Sequence, residues 1–449
     1  MRRLYVTLAS LIALATGAQA QQPVKLSLDD CIAYAMSNSI TMKNARLDVQ
    51  IQQAQVKQTT AAALPTLAGK SDLVHFSPKH QQFSFFDASA FNPQAPKGTI
   101  SPVPFTIPYT ASASVTLSQV LFDGSLLVAL QARNSIMDLA RSTEQMTAEN
   151  IRYGVHKAYN SLVISYKQFE IIKSSLALAR TMEQELIKTR EAGFAEKIDV
   201  ERTSVQINNL ATDSLKVANM LTIAEQMLKY QLGMDINAQI ILTDTSIEKN
   251  TAQLVQLVTE KGSYERVPEY TVLMNALKLN EYDLKRYKLA ALPTLAGFTS
   301  RGVNFGASTF SGITQLDKYI EYYNGGLSLT VPLFNGFARQ YQVREAKLKI
   351  EKTRNNIEYT KQSIDFQAAT ARTTLKNALL QIQSQKRNLD LSNSVLDLAQ
   401  RKYKAGVGSN LEVTTAQTDL LRSQNNYFAA LLEAINAEAD LKKALGLLK

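Results

Sequence analysis

The sequence predicts a mainly α-helical chain with a small β part, built from two internal repeats. Three observations carry this: two very long stretches without helix breakers, short words that recur in order, and two regions where the apolar period falls to two. Residues 337–405 contain neither Gly nor Pro, and residues 125–192 contain no Pro and only Gly154. Each stretch follows a Leu-Phe-Asp/Asn-Gly word (Leu121–Gly124 and Leu333–Gly336) and ends at an Ala-Gly pair, Ala192-Gly193 or Ala405-Gly406. At 1.5 Å of rise per residue, a helix of roughly 68 residues spans about 100 Å. Ordinary globular helices average about three turns. Elements of this length imply rods that bridge a distance.

The recurring words define the repeat. Ala-Leu-Pro-Thr-Leu-Ala-Gly occurs at 63–69 and again at 291–297. The Leu-Phe-Asp/Asn-Gly words, the Ala-Gly pairs and the Leu-Gly pairs (Leu232-Gly233 and Leu445-Gly446) each recur 212 or 213 positions apart. Asp199-Val200 likewise matches Glu412-Val413. Ordered recurrence at nearly constant spacing marks two copies of one unit. The division expected is a signal peptide (1–20), a first repeat (21–232), a mid-rod segment (233–262) and a second repeat (263–449).

Within the long stretches the apolar residues step by three, four and seven. Ile357, Ile364, Ala368, Ala371, Leu375, Leu379, Ile382, Leu389 and Leu396 form one stripe, and Val155, Leu162, Phe169 and Leu176 another. Tyr427, Leu431, Ala434, Leu441 and Leu445 continue the pattern near the C-terminus. Sustained 3/4 spacing gives a narrow stripe and coiled-coil-like packing. Gly193 and Gly406-Val407-Gly408 then read as hairpin tips, because Gly supplies positive φ. The return path from Gly193 runs to Leu232, breaks, and resumes from Ser263 to Ala291. In the second copy the return ends at the C-terminus, and residues 28–63 supply its upper piece.

Between the Pro-Thr-Leu-Ala-Gly and Leu-Phe-Asp/Asn-Gly words the period is that of a strand. Ala111, Ala113, Val115 and Leu117 alternate with Ser112, Ser114, Thr116 and Ser118. Leu327, Leu329, Val331 and Leu333 alternate with Ser328, Thr330 and Pro332. Strands with one apolar and one polar face are expected, arranged as hairpins over 65–121 and 293–334 that open at Pro65 and Pro293. The junctions between strand and helix fall at Pro65, Phe122, Gly124, Pro293, Phe334 and Gly336. The loop at 78–108 holds six of the eleven prolines, as a long exposed loop does. A strand length of about 9–11 residues suits a tilted membrane strand. Four strands cannot close a barrel, and a bilayer tolerates no open edge; three chains would supply twelve strands and a closed wall.

The first twenty residues read as a secretory signal: Arg2 and Arg3, an apolar Leu4–Thr16 run, then Ala18-Gln19-Ala20 as the cleavage site. That run is shorter than the ~20 residues that span a bilayer. The single cysteine, Cys31, reads as a small hydrophobe. His75, His80 and His156 lack metal-site spacing. The net charge of +10 is spread along the helical stretches, with no basic run interleaved with aromatics, so a nucleic-acid partner is not expected. No nucleophile–base pair, phosphate-binding Gly loop or metal cluster occurs, so neither an enzyme nor a cofactor is expected.

Arg401–Gly446 carries a Tyr, a Gly at the tip, an acid-Val pair, a Gln- and Leu-rich amphipathic helix and a closing Ala-Leu-Gly. In this it resembles the TolC-type outer-membrane efflux protein family. The copy at 189–233 is more divergent, with Phe194 where the family often has Gly or Val. The resemblance implies a homotrimer, with a twelve-stranded outer-membrane β-barrel continued by a twelve-helix periplasmic α-barrel and an equatorial belt at 233–262. It implies an exit duct in the outer membrane of a Gram-negative bacterium, joined by a periplasmic adaptor (membrane fusion) protein to an inner-membrane pump of resistance–nodulation–division or ABC type. Gly193, Phe194, Gly406, Val407 and Gly408 match the adaptor-docking and gating end. Asp397, by its distance from the tip, matches the family's aspartate rings, and Asp390 lies seven residues earlier on the same face. Three copies of each would form stacked acid rings that favour cations; ordinary solvated carboxylates are the plainer alternative. The first copy has Gln184 and Ala177 at the equivalent places.

The rival reading is a periplasmic adaptor or structural coiled-coil protein. Adaptors carry one helical hairpin, whereas this chain carries two, each with an amphipathic strand pair. Cargo stays open between drugs and other small molecules and secreted proteins, and a metal-efflux duct is disfavoured.

Overall fold

The computed structural model describes residues 24–77, 83–90, 92–104, 107–244 and 251–448. The expected signal peptide and His80 lie outside the described residues. In chain order the elements are β1 (Val24–Leu26), α1 (Leu28–Asn38), α2 (Ile40–Ala61), β2 (Thr66–His75), β3 (Phe83–Asp87), β4 (Ile100–Pro104), β5 (Tyr109–Phe122), α3 (Gly124–Glu191) and α4 (Lys197–Leu232). There follow β6 (Ile240–Leu242), α5 (Thr251–Thr259), α6 (Pro268–Leu289), β7 (Thr294–Ala307), β8 (Ile320–Thr330), α7 (Ala338–Lys404) and α8 (Asn410–Ala444). The breaker-free stretches are single helices of 68 and 67 residues. No described helix is long and apolar enough to cross a membrane.

The chain forms two units. The first comprises the described residues within 1–50, 138–276 and 353–449, and the second those within 51–137 and 277–352.

The first unit is helical, and its helices meet along the stripes read from the sequence. Ile357, Ile364, Ala368, Ala371, Leu375 and Leu396 of α7 are buried, as are Val155 and Leu162 of α3. Leu379 and Ile382 only flank the core. One core packs Ala368, Ala371, Leu375 and Ala378 against Ala434, Ala437, Leu441 and Ala444 of α8. Alanines line both sides of this seam, and the larger Leu375 and Leu441, each 0% exposed, fill it. A second core joins Cys31 and Ala35 of α1 to Val155, Leu162, Leu228, Leu232 and Ile240. Helix α1 starts at a capping box: Ser27 Oγ accepts from Asp30 N, and Asp30 Oδ2 accepts from Ser27 N. Hydrogen bonds from Ser27 hold the Asp30 carboxyl below its usual range.

The segment after Leu232 is tied down by a pairing that the sequence does not announce. β1 pairs in parallel with β6, Val24 with Ile240 and Leu26 with Leu242. Each strand is only three residues long, too short for periodicity to register.

The second unit holds an antiparallel sheet in the order β2-β5-β7-β8. Central strands β5 and β7, one from each repeat, pair from Tyr109↔Ala307 down to Phe122↔Leu295. Following the register across the sheet sorts the side chains into two faces. One carries Leu67, Leu73, Ala111, Ala113, Val115, Leu117, Val303, Phe305, Leu327 and Leu329. The other carries Lys70, Ser112, Ser114, Thr116, Ser118, Ser300, Asn304, Asn324 and Ser328. The apolar face includes one ion pair, Arg301 Nη2 to Glu321 Oε2 at 3.0 Å. At the loop end, His75 stacks on Tyr109 at 4.3 Å and Phe305 on Tyr319 at 5.1 Å. Among the described residues, β2 and β8 each pair on one side only.

Two local findings differ from the strand pattern. The last strand stops at Thr330, although alternation continues to Leu333. Thr330 already pairs with Thr294, the first residue of β7, and Pro332 has no N–H to extend a ladder. The long loop contains its own hairpin, β3 with β4.

Candidate functional site

The two hairpin tips are built alike. Helix α3 ends at Glu191 and α7 at Lys404. Gly193 then adopts φ +82° and Gly406 φ +74°, the left-handed conformation that closes a helix at little steric cost. Phe194 N donates to Thr189 O at 2.9 Å, and Val407 N donates to Lys402 O at 3.1 Å. This is the same six-to-one closure at equivalent positions of the two repeats. Phe194 is 85% and Val407 78% exposed, so each tip offers one bare apolar side chain to its surroundings. Gly408 packs tightly beneath the second tip: a Cβ there would lie 2.9 Å from Lys402 Cβ and 3.0 Å from Tyr403 N.

The return helices start differently. Ser409 Oγ accepts from Glu412 N at 3.2 Å, whereas Glu196 caps α4 with no side-chain bond. The tips are joined by Asn410, which is buried. Its Nδ2 donates to Thr203 Oγ1 at 3.2 Å and to Asp199 O at 3.4 Å. Beside this contact a cleft of about 600 Å³ opens between α4 and α8, lined by Ile198, Arg202, Val205, Leu411, Thr414 and Leu421 among others.

Asp390 and Asp397 are both exposed on α7, away from Leu396 and Ala399, which pack against Val413 and Ala416. Asp397 is not a bare charge. Arg401, one turn later, grips it with two nitrogens, Nε to Oδ1 at 3.2 Å and Nη2 to Oδ2 at 2.6 Å. The i,i+4 spacing of an acid and an Arg was there in the sequence to signal this pair. No comparable signal pointed to Asn410.

At the strand–helix junctions, Pro65 and Pro293 stand immediately before β2 and β7, and Phe122 ends β5. Asp123 Oδ1 caps α3, accepting from Ser125 N at 2.7 Å and Leu126 N at 3.1 Å. Gly124 lies against the last turn of α6: a Cβ there would meet Leu289 O at 2.6 Å. Gly336 is different. It takes φ +62° with open space around it, Phe337 follows at φ +64°, and Phe334 packs edge-on against Phe337 at 5.4 Å.

Two long helical hairpins, an amphipathic four-stranded sheet and two matching tips make a fold that this chain shares with solved outer-membrane channels. Residues 291–447 match the family described as outer membrane efflux protein, a stretch that contains all of Arg401–Gly446. The chain is 21% identical to the outer membrane protein TolC of Escherichia coli over 75% of its own length and 69% of that protein's. It is 20% identical to the alkaline protease secretion protein AprF of Pseudomonas aeruginosa over the same shares. Among solved structures, it superposes on the Campylobacter jejuni CmeC outer membrane channel with a TM-score of 0.73 at 16% identity, covering 93% of this chain and 85% of that one. These findings bear out the resemblance to the TolC-type outer-membrane efflux protein family.

Proposed function

We propose that this protein is the outer-membrane exit duct of a tripartite efflux or secretion system. Three copies form a twelve-stranded barrel continued by a twelve-helix periplasmic tunnel, and the duct passively conducts cargo received from a periplasmic adaptor and an inner-membrane pump. The observation that carries this reading is the sheet β2-β5-β7-β8, with one apolar face, one polar face and two edge strands that pair on one side only among the described residues. In hydrocarbon an open edge is costly because its N–H and C=O groups find no partner. Pairing β8 of one copy with β2 of the next removes both edges and keeps neighbours antiparallel. The apolar face then meets lipid, while Ser114, Thr116, Ser300 and Asn304 line a wet interior.

In this reading the exposed Phe194 and Val407, on the turns at Gly193 and Gly406–Gly408, are the docking points for the adaptor. Asn410 holds the two hairpin tips together. Asp390 and Asp397 are the candidate acid rings, with Arg401 offsetting part of the charge of the second. The junction residues Pro65, Phe122, Gly124, Pro293, Phe334 and Gly336 convert strand into helix at the membrane boundary. The protein performs no chemistry of its own, and the energy for transport is spent by the pump.

Membrane fractionation with affinity capture tests the reading. The protein should partition with the outer membrane, migrate differently before and after heating in detergent, and retain an adaptor and an inner-membrane pump. Recovery as a detergent-independent periplasmic protein would instead favour the adaptor reading. The identity of the captured pump separates small-molecule from protein export.

A further inference from the structure

The junction of α3, α6 and α8 holds charged groups that neither the tips nor the sheet requires. Glu149 of α3 is 7% exposed, and its Oε1 has no hydrogen-bond partner among the described residues. The charges that bear on it come from each element packed around it: Glu269 at the start of α6, Lys443 near the end of α8, and Arg152 on α3 itself. Lys443 is already engaged, donating to Asn150 Oδ1 at 2.7 Å and standing 4.7 Å over the Tyr153 ring. Tyr153 OH donates to Asp440 Oδ1, which also receives Lys157 Nζ at 2.8 Å. One turn earlier on α3, Glu144 faces Arg46 of α2 at 3.9 Å. The end of α8 is therefore fastened to α3 by a network that leaves Glu149 without a dedicated cation.

The repeat does not demand this arrangement. With Ile151, Val155, Ala158 and Leu162 matching Ile364, Ala368, Ala371 and Leu375, the position equivalent to Glu149 in the second copy is Gln362, which is uncharged and exposed. A buried carboxylate facing a second carboxylate is a poor structural element when ionised and a good one when protonated.

We propose that protonation of Glu149 seats the start of α6 and the end of α8 on α3, and that its ionisation loosens that junction. Burial, followed by repulsion from Glu269 and partly offset by Lys443 and Arg152, pushes the Glu149 carboxyl up to about 7 from an ordinary 4.5. A group raised in the closed state stabilises that state fully below its ordinary value and loses the effect as pH rises to the raised one. If opening returns Glu149 to its ordinary value, the opening constant rises about tenfold between pH 6 and pH 8. A duct standing in the periplasm would thereby respond to the pH of its surroundings. That last consequence rests on the proposed function; the junction chemistry does not.

Hydrogen exchange of the intact detergent-solubilised protein tests the proposal, read by mass spectrometry on peptides covering 264–275 and 436–447. After correction for intrinsic exchange, protection of these peptides should fall about tenfold from pH 6 to pH 8. Glu149→Gln should hold protection at the pH 6 level throughout. Glu269→Gln, which keeps the titrating group and removes its repulsion, should leave a smaller fall and gives a readout even if Glu149→Gln does not fold. Equal wild-type protection at both pH values would overturn the proposal. So would a full fall in Glu149→Gln, or an undiminished fall in Glu269→Gln.

Discussion

The Leu-Phe-Asp/Asn-Gly word uses its glycine for opposite reasons in the two repeats, and this gives a sharp mutational prediction. At Gly124 the constraint is space. A Cβ would sit 2.6 Å from Leu289 O and 3.2 Å from Leu289 Cβ, so the start of α3 and the end of α6 must separate by several tenths of an ångström. Overpacking of this kind costs about 1–3 kcal/mol, and the better helix propensity of Ala returns less than about 1 kcal/mol at a first helical position. At Gly336 the constraint is conformation. Nothing lies within 4 Å, and φ is +62°. A Cβ there costs about 1–2 kcal/mol through left-handed backbone alone, a cost that Asn largely avoids. Chemical unfolding of the solubilised protein, followed by circular dichroism at 222 nm, reads both. Gly336→Asn should fall within about 0.5 kcal/mol of wild type while Gly336→Ala loses about 1 kcal/mol or more. At Gly124 the order reverses: Gly124→Asn, being larger, should lose more than Gly124→Ala. The same rank order at both positions would refute the reasoning.

Leu375 is fully buried in the alanine-rich seam between α7 and α8, so Leu375→Ala should cost about 3 kcal/mol in the same unfolding assay; a loss under about 1 kcal/mol would mean that the seam collapses around the gap. Phe194→Ser and Val407→Ser, at 85% and 78% exposure, should leave the unfolding midpoint almost unchanged yet reduce adaptor capture about tenfold; undiminished capture would remove the tips from the docking surface. In planar-bilayer conductance, Asp390→Ala with Asp397→Ala should lessen block by polyvalent cations, and Arg401→Ala should deepen it by freeing the Asp397 carboxylate. Unchanged block in both would dismiss the acid rings.

Much of the helical fold was legible because its signals are long and redundant. Sixty-odd residues without a breaker, with apolar positions from Ile357 to Leu396 repeating every turn or two, admit little besides a rod. The strands were legible where alternation was sustained, as at Ala111–Ser118, and overran where a Pro closed the ladder at 332. The β1–β6 pairing was invisible because three residues carry no period, and the partners are more than two hundred positions apart. The tips were readable from glycine alone. Asn410 was not, because a buried amide joining two hairpins depends on which helices become neighbours. The Arg401 clamp on Asp397 was readable in principle from one-turn spacing, and it changes what a charge ring at that level would do.

The claim on which the account rests is that separate copies complete one another's sheet. Disulfide trapping between the free edges measures this directly, with cysteines scanned in pairs along β2 (Thr66–His75) and β8 (Ile320–Thr330). The sole native thiol, Cys31, is 0% exposed and adds little background. The account predicts that some pairs yield a covalent species of three chains and nothing larger. Bonds confined within one chain, or a ladder that continues past three, would contradict it.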